Sequence, residues 1–190
     1  VPVKSVRELV ALAKARPGEL NYASTAIGGS PHLAAELFKS MAGVNIVHIP
    51  YKGNAPAITA LLSGEVQLAI IDVGFLTPHA KLGKLGGLAV TGATTSALAP
   101  GLPTVAAAGV PGYEATGMTG IWAPGKTHGA IINRLNQEIV RVLNLPDVKK
   151  RFLDTGSEVV SSSSEEHAAK IKSDVVKLGK LIKDAGIKVD

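Results

Sequence analysis

Apolar residues at Val6, Leu9, Val10 and Ala13 step by three and four and predict a helix that buries one face. Ser5 and Glu8 bracket its start as a capping box, and Arg16-Pro17-Gly18 ends it. Leu20 to Ala23 reads as a short strand, followed by a Gly28-Gly29 turn. Ser30-Pro31 then opens a second helix reaching Ala42, with Ser30 as cap and Leu33, Ala34, Leu37, Phe38 and Met41 as its buried positions. Gly43 stops this helix in the left-handed conformation that glycine tolerates. Asn45 to Pro50 (NIVHIP) is a β-branched strand, and a helix over residues 55–63 closes at Gly64. Val66 to Ile71 is a near-continuous apolar run, as expected of a strand buried on both faces of a parallel sheet. A short helix over residues 75–81 precedes another buried strand, Leu88 to Thr91.

Strands alternating with helices through residue 91 imply an open α/β sheet joined by right-handed crossovers. From Gly92 to Gly129 glycine, proline, threonine and alanine dominate, with a small helix expected at Thr104 to Ala108 and a strand at Met118 to Ala123. Beyond that the pattern is mostly helical. Ile131, Leu135, Ile139 and Val142 form one stripe. Ser163 to Glu166 is a second capping box, after which Ala168, Ile171, Val175, Leu178, Ile182 and Ala185 step by three and four. That last helix needs a surface to lie on.

Composition narrows the picture. The chain has 190 residues, enough for one domain or one and a half small ones, and its 46% hydrophobic content supplies a core. Aromatic content is 4%, too little for the stacking platforms of nucleic-acid binders. The net charge of +5 is spread out, which reads as a solvated basic surface favouring small anions, without a nucleic-acid role. The absence of cysteine removes thiol chemistry and leaves the compartment open. No apolar run approaches membrane-spanning length and no signal peptide is visible. The abrupt start, VPVKSVREL, carries the expectation that an upstream part has been removed.

Three loops follow successive predicted strands: Ser24 to Ser30, Tyr51 to Asn54, and Asp72 to Gly74. In open α/β sheets ligands bind at that edge. A glycine turn opening a helix offers unpaired N–H groups and the positive end of the helix dipole, and Ser24, Thr25 and Ser30 add hydroxyls. The turn matches neither a phosphate-binding P-loop nor a dinucleotide fingerprint. His32, on the first turn of its helix, can donate to an anion or simply pack. His48 reads as a satisfied buried histidine, and His79 and His128 as surface or helix-start residues, so no metal site is expected. Asp72 reads as loop support before ligand contact, and Lys52 is the one cation at the edge. An enzyme using Lys52, Asp72 and His32 on an anionic substrate is the alternative reading, and it requires those groups to converge.

NYAS, the glycine turn with SPHLAAELF, VHIPYKG, PHAKLGKL, LAVT, LPTVAAAGVPGYEA, WAPGKT and the ending DAGIKVD together resemble the tripartite tricarboxylate transporter substrate-binding proteins, or Bug family. The resemblance implies a periplasmic, type II periplasmic-binding-protein-like α/β fold that captures small carboxylates for membrane permease subunits, with no cofactor and no chemistry. It implies that residues 1–120 are an α/β ligand-binding domain, the family's second, and that residues 121–190 are the mostly helical C-terminal part of an incomplete first domain. The loop matching Ser24 to Ser30 holds a ligand carboxylate in that family. The candidate ligand-binding set is Ser24, Thr25, Ala26, Gly28, Gly29, Ser30, His32, Tyr51, Lys52, Gly53 and Asp72. Ala26 and Gly29 depart from the family's usual glycine and hydroxyl residue, and Ile71 replaces its aromatic, which is expected either to widen the pocket or to alter the ligand's fit. With the family's N-terminal segment absent, the helices after Thr127 are expected to expose an apolar patch and to self-associate or fold against another surface.

Overall fold

A computed structural model describes residues 1–187 of the chain. It divides into two compact units, Val1–Gly117 with the residues from Leu181 on, and Met118–Lys180.

The first unit begins with α1 (Val6–Ala15), which buries Val6, Leu9 and Ala13. Ser5 caps it by accepting from the Glu8 N–H at 3.2 Å, while the Glu8 carboxylate accepts from the N–H of Lys4, one residue earlier than in a standard capping box. Next come β1 (Asn21–Ser24), α2 (Ser30–Ala42), β2 (Val47–Pro50), α3 (Asn54–Ser63), β3 (Leu68–Ala69) and α4 (Val73–Lys81). Gly43 and Gly64 end α2 and α3 in the left-handed region, with φ of 62° and 81°.

The three strands form one parallel sheet in the order β2-β1-β3, so β1 is central. Side chains alternate across β1, and the two faces differ in chemistry. Ala23 joins an apolar cluster with Ala57, Ile58 and Ala60 of α3 and with Val66 and Ile71. Tyr22 and Ser24 point the other way and meet residues of α2 and β2. The sheet is thus covered by α3 on an apolar side and by α2 on a polar one.

Several sequence expectations give way here. The strand expected over Val66–Ile71 pairs only at Leu68–Ala69 and is half-buried, because the chain turns to send Ile71 into the α3 cluster. Leu88–Thr91 is no strand: Val90 makes a single parallel bridge to Thr104. The glycines at 86, 87 and 92 flank it and weaken extended pairing. Thr104–Ala108 makes turns rather than a helix, with the Ala108 N–H donating to the Thr104 carbonyl before Gly109 at φ 136°. Met118–Ala123 is unpaired backbone. Met41 is exposed and Leu33 half-buried, because the inward face of α2 carries His32 and Ala35 instead. Ser30 is the first residue of α2, not its cap; Gly29 holds the cap position.

The irregular chain after residue 92 is fastened to α2 by Tyr113. Its ring meets Phe38 edge-on at 6.2 Å, and its buried hydroxyl donates to the Ala34 carbonyl at 2.9 Å.

The second unit holds α5 (Gly129–Leu143), α6 (Pro146–Asp154) and most of α7 (Ser164–Asp184). The capping box at the start of α7 is complete: the Ser163 N–H donates to the Glu166 carboxylate at 2.8 Å, and the Glu166 N–H to the Ser163 hydroxyl at 3.1 Å. Asn136 of α5 donates to the Ser162 carbonyl and ties the preceding loop to that helix. Ile131, Leu135 and Val142 on α5, Phe152 and Leu153 on α6, and Val175 and Val176 on α7 are exposed, as is Trp122 at 69%. Ala185 lies in the turn after α7, and Lys188–Asp190 of the DAGIKVD ending lie outside the described residues.

Replacing Tyr113 by phenylalanine keeps the ring and deletes one buried hydrogen bond. Urea unfolding followed by circular dichroism should show a loss of about 1 kcal/mol. An unchanged midpoint would remove Tyr113 as the fastening.

Candidate functional site

The carboxyl ends of three parallel strands share one edge of the first unit, and the three candidate loops leave from it. The Tyr51 N–H donates to the Ser24 carbonyl at 2.9 Å, which carries the β1–β2 ladder up to the start of both loops.

Loop 24–30 is stapled twice. The Ala26 carbonyl accepts from the Ser24 hydroxyl at 3.3 Å and from the Gly29 N–H at 3.4 Å. Gly28 turns the backbone at φ 75°, where a side chain would be strained, and its N–H donates to Nδ1 of His32 at 2.9 Å. Leu33 is the first N–H of α2 with a helical partner, the Gly29 carbonyl. Among the described residues, the backbone N–H groups of Thr25, Ala26, Ile27, Ser30 and His32 have no hydrogen-bond partner within the protein. Five donors around the positive end of a helix dipole make a concentration of unpaired positive character.

A polar stack lies beneath the loop. Tyr22 and His48 are register partners on β1 and β2, with ring centroids 4.9 Å apart. His32 of α2 stacks on the other side of His48 at 4.0 Å and 14°. An acceptor at Nδ1 puts the proton of neutral His32 on Nε2, which lies 3.9 Å from Oε1 of Glu36. That carboxylate accepts from the Tyr22 hydroxyl at 2.7 Å and from Lys39 at 2.6 Å. Nε2 of His48 is 2.6 Å from the Ser24 hydroxyl. Because that hydroxyl donates to Ala26, His48 is the donor in the pair, and one line of donation runs His48 to Ser24 to Ala26.

Burial depresses the pKa of both imidazoles. It holds His32 below its ordinary value of 6.5, with Glu36 opposing and Lys39 reinforcing the shift. His48 is pushed down to about 4, by burial first and then by the neighbouring His32. Burial favours protonated Glu36, but hydrogen bonds from Lys39 and Tyr22 outweigh it, and its pKa falls below the usual carboxylate range. At neutral pH the stack holds two neutral rings and one ion pair.

The other candidates are placed as follows. Ser24 is 0% exposed and both hydroxyl contacts are internal, so it lies under the loop. Thr25 is half-buried, while Ala26 and Ser30 are exposed. Ser30 faces Gly117, where a Cβ would stand 3.5 Å from the Ser30 Cβ. The Tyr51 hydroxyl donates to Glu65 at 2.8 Å, and its ring borders the α3 cluster. Gly53 starts α3 at φ 109°. Lys52 is exposed. Asp72 stands at the start of α4, where its carbonyl accepts from the Phe75 N–H but its carboxylate makes no capping bond, so the loop support expected of it is not supplied by its side chain. Ile71 is core rather than pocket wall, which overturns the expected widening.

His32 is 4% exposed and bonded to the loop, while Lys52 and Asp72 are exposed; no described hydrogen bond or ion pair joins the three. The convergence demanded by the enzyme alternative is not made. Among the described residues no group of three or more His, Asp or Glu is placed to hold a metal. Sequence reasoning passed over Tyr22, Glu36 and Lys39. The available signal was the spacing of His32, Glu36 and Lys39, which puts them on one helical face.

The family described as the tripartite tricarboxylate transporter family receptor matches residues 1–187. The chain is 33% identical over 180 residues to a UPF0065 protein from the tcbD-tcbE intergenic region of Pseudomonas sp. strain P51, covering 94% of this chain and 54% of that protein. It is 32% identical to BugT of Bordetella pertussis, covering 97% and 57% respectively. The solved structure of R. palustris Rpa4515 with adipate superposes with a TM-score of 0.84 at 36% identity, covering 98% of this chain and 62% of that one. The chain therefore spans about half the length of the curated relatives it matches.

The depressed His48 fixes the sign of a pH effect. The unfolded chain takes up the proton near pH 6.5 and the folded one only near 4, so protonation between these values favours unfolding. Stability should be full above pH 6.5 and fall as pH drops toward 4. His48→Gln, which keeps a donor near the Nε2 position, should flatten part of that slope in urea unfolding at stepped pH. An equal slope in the variant would show that His48 is not buried neutral.

Proposed function

The chain belongs to the tripartite tricarboxylate transporter receptor family, and on that premise we propose that it binds a small carboxylate in a periplasmic setting and passes it on without chemistry. One observation carries the reading: unpaired N–H groups occur together on the loop leaving β1 (Thr25, Ala26 and Ile27) and on the first turn of α2 (Ser30 and His32). A carboxylate accepts from several such donors at once, and charge-assisted bonds of this kind are the stronger class. The adipate in the similar R. palustris protein is consistent with a dicarboxylate, and the recipient would be the membrane permease subunits of the transporter. Thr25, Ala26, Ile27, Ser30 and the His32 N–H form the proposed grip, Gly28 and Gly29 shape its turn, and Ser24 and the His32 ring lie beneath it. Tyr51, Lys52, Gly53 and Asp72 are its proposed neighbours on the same edge. Residues 1–120 are proposed as the family's second domain and 121–190 as part of its first.

Isothermal titration with straight-chain mono- and dicarboxylates, adipate included, should give saturable heat, and the diamide of adipic acid should give none. Equal binding of acid and amide would overturn the carboxylate reading. Gly29→Ser tests the grip directly. The site has room, since a Cβ there would meet its nearest neighbour, the Ala26 carbonyl oxygen, at 3.5 Å, and serine is a favoured cap. A serine cap there accepts from the His32 N–H, so it should raise the thermal midpoint and, by taking that donor, weaken carboxylate binding; a raised midpoint with unchanged affinity would place the ligand elsewhere.

The exposed stripe on α5 supports self-association of this chain with a second copy. Leu135 at 47% and Ile131 at 54% exposure lie one turn apart on that helix. Light scattering should show a mass that rises with concentration and falls when Ile131 and Leu135 are both changed to lysine. A monomer at all concentrations would sink this.

A further inference from the structure

Histidine at position 32 does two separate things. Its backbone N–H is among the unpaired donors at the start of α2, while its ring turns back and accepts the Gly28 N–H at 2.9 Å. The second contact closes the loop on the helix that follows it. It also removes Gly28 from the donors facing outward, and it depends on Nδ1 carrying no proton.

We propose that His32 is a positioning residue, a latch that holds loop 24–30 in its donor-presenting shape and opens when Nδ1 gains a proton. The proposal rests on the carboxylate-capture reading for its purpose, but its geometry stands without a ligand. Two N–H or ring N–H donors cannot share one hydrogen bond, so protonation turns the 2.9 Å contact from attraction to repulsion. The loop then keeps only the Ala26 carbonyl staple. Gly28, at φ 75°, is free to rotate once its N–H is released.

The charged groups around the ring come from three elements. Glu36 and Lys39 on α2 lie on its Nε2 side, where the carboxylate favours the imidazolium and the ammonium opposes it. His48 of β2 stacks on the ring, and Tyr22 of β1 lies beyond it, bonded to Glu36. Burial, the first cause, keeps the ring neutral at pH 7, so the latch is shut under neutral conditions. A histidine with one face on another histidine and one nitrogen on a loop amide is placed to couple its titration to the loop.

Nitrogen-15 and carbon-13 nuclear magnetic resonance of the full chain, titrated from pH 8 downward without ligand, tests the latch. The Gly28 amide resonance should move with the same midpoint as the His32 ring, below the ordinary 6.5. His32→Asn places an amide oxygen near the Nδ1 position and carries no titratable group. In that variant the Gly28 amide should stay near its bonded position and no longer titrate there. His32→Leu should leave it at the unbonded position at every pH and bind adipate about three- to tenfold more weakly than the asparagine variant, as expected for one hydrogen bond. A Gly28 amide indifferent to His32 titration, or equal affinity of the asparagine and leucine variants when both bind adipate, overturns the proposal. Intact co-titration with no carboxylate binding at any pH overturns the capture reading instead and upholds the latch.

Discussion

Parallel pairing of Tyr22 with His48 is the contact on which the first unit depends. It puts two polar rings side by side on a sheet face that α2 then covers. Buried polar groups must be satisfied or they cost a kcal/mol or more each, about 1–3 by mutational measures. The polar groups of the stack therefore constrain one another: Tyr22 and Lys39 meet on Glu36, His48 meets Ser24, and His32 reaches up to Gly28. Loop 24–30 is shaped from below as a result. The apolar face, with Ala23 against Ala57 and Ile58, supplies burial, while the polar face supplies orientation.

Local chemistry was legible where it was self-contained. The capping residues Ser5 and Ser163, the left-handed glycines 43 and 64, and the helix–strand order through Lys81 all follow from residues close in sequence. The glycine turn of loop 24–30 was legible for the same reason, since a turn before a helix is a local statement. Leu88–Thr91 and Met118–Ala123 were not, because an extended segment becomes a strand only when a partner backbone lies alongside. Ser30 was misplaced by one position because Gly29 provides the extended conformation a cap needs without a side chain.

The histidines show the limit most clearly. His32 and His48 stand sixteen positions apart, far outside any helical spacing. Their stacking is a product of the crossover that sets α2 against β2, and no short-range pattern encodes it. Reading His48 as satisfied was sound, for its partner is Ser24; what the sequence did not convey is that satisfying His48 also occupies the hydroxyl of a candidate ligand residue. Ile71 carries a similar lesson. It stands where the family carries an aromatic and so was expected at the pocket, but the turn of the chain after β3 sends it into the α3 cluster.

The donors gathered on loop 24–30 are peptide groups, and a peptide N–H is the same whatever side chain it carries. Replacement of Thr25, Ala26 or Ile27 leaves the backbone donors in place so long as the loop keeps its path. Under the proposed capture, an acidic group would therefore be met in the same way whichever side chains stand there. The demanding positions are those that fix the path of the loop, Gly28 for its turn and the rings of His32 and His48 for their support. Rim and frame are thus separable: a change on the rim alters what surrounds the donors, and a change in the frame moves the donors themselves.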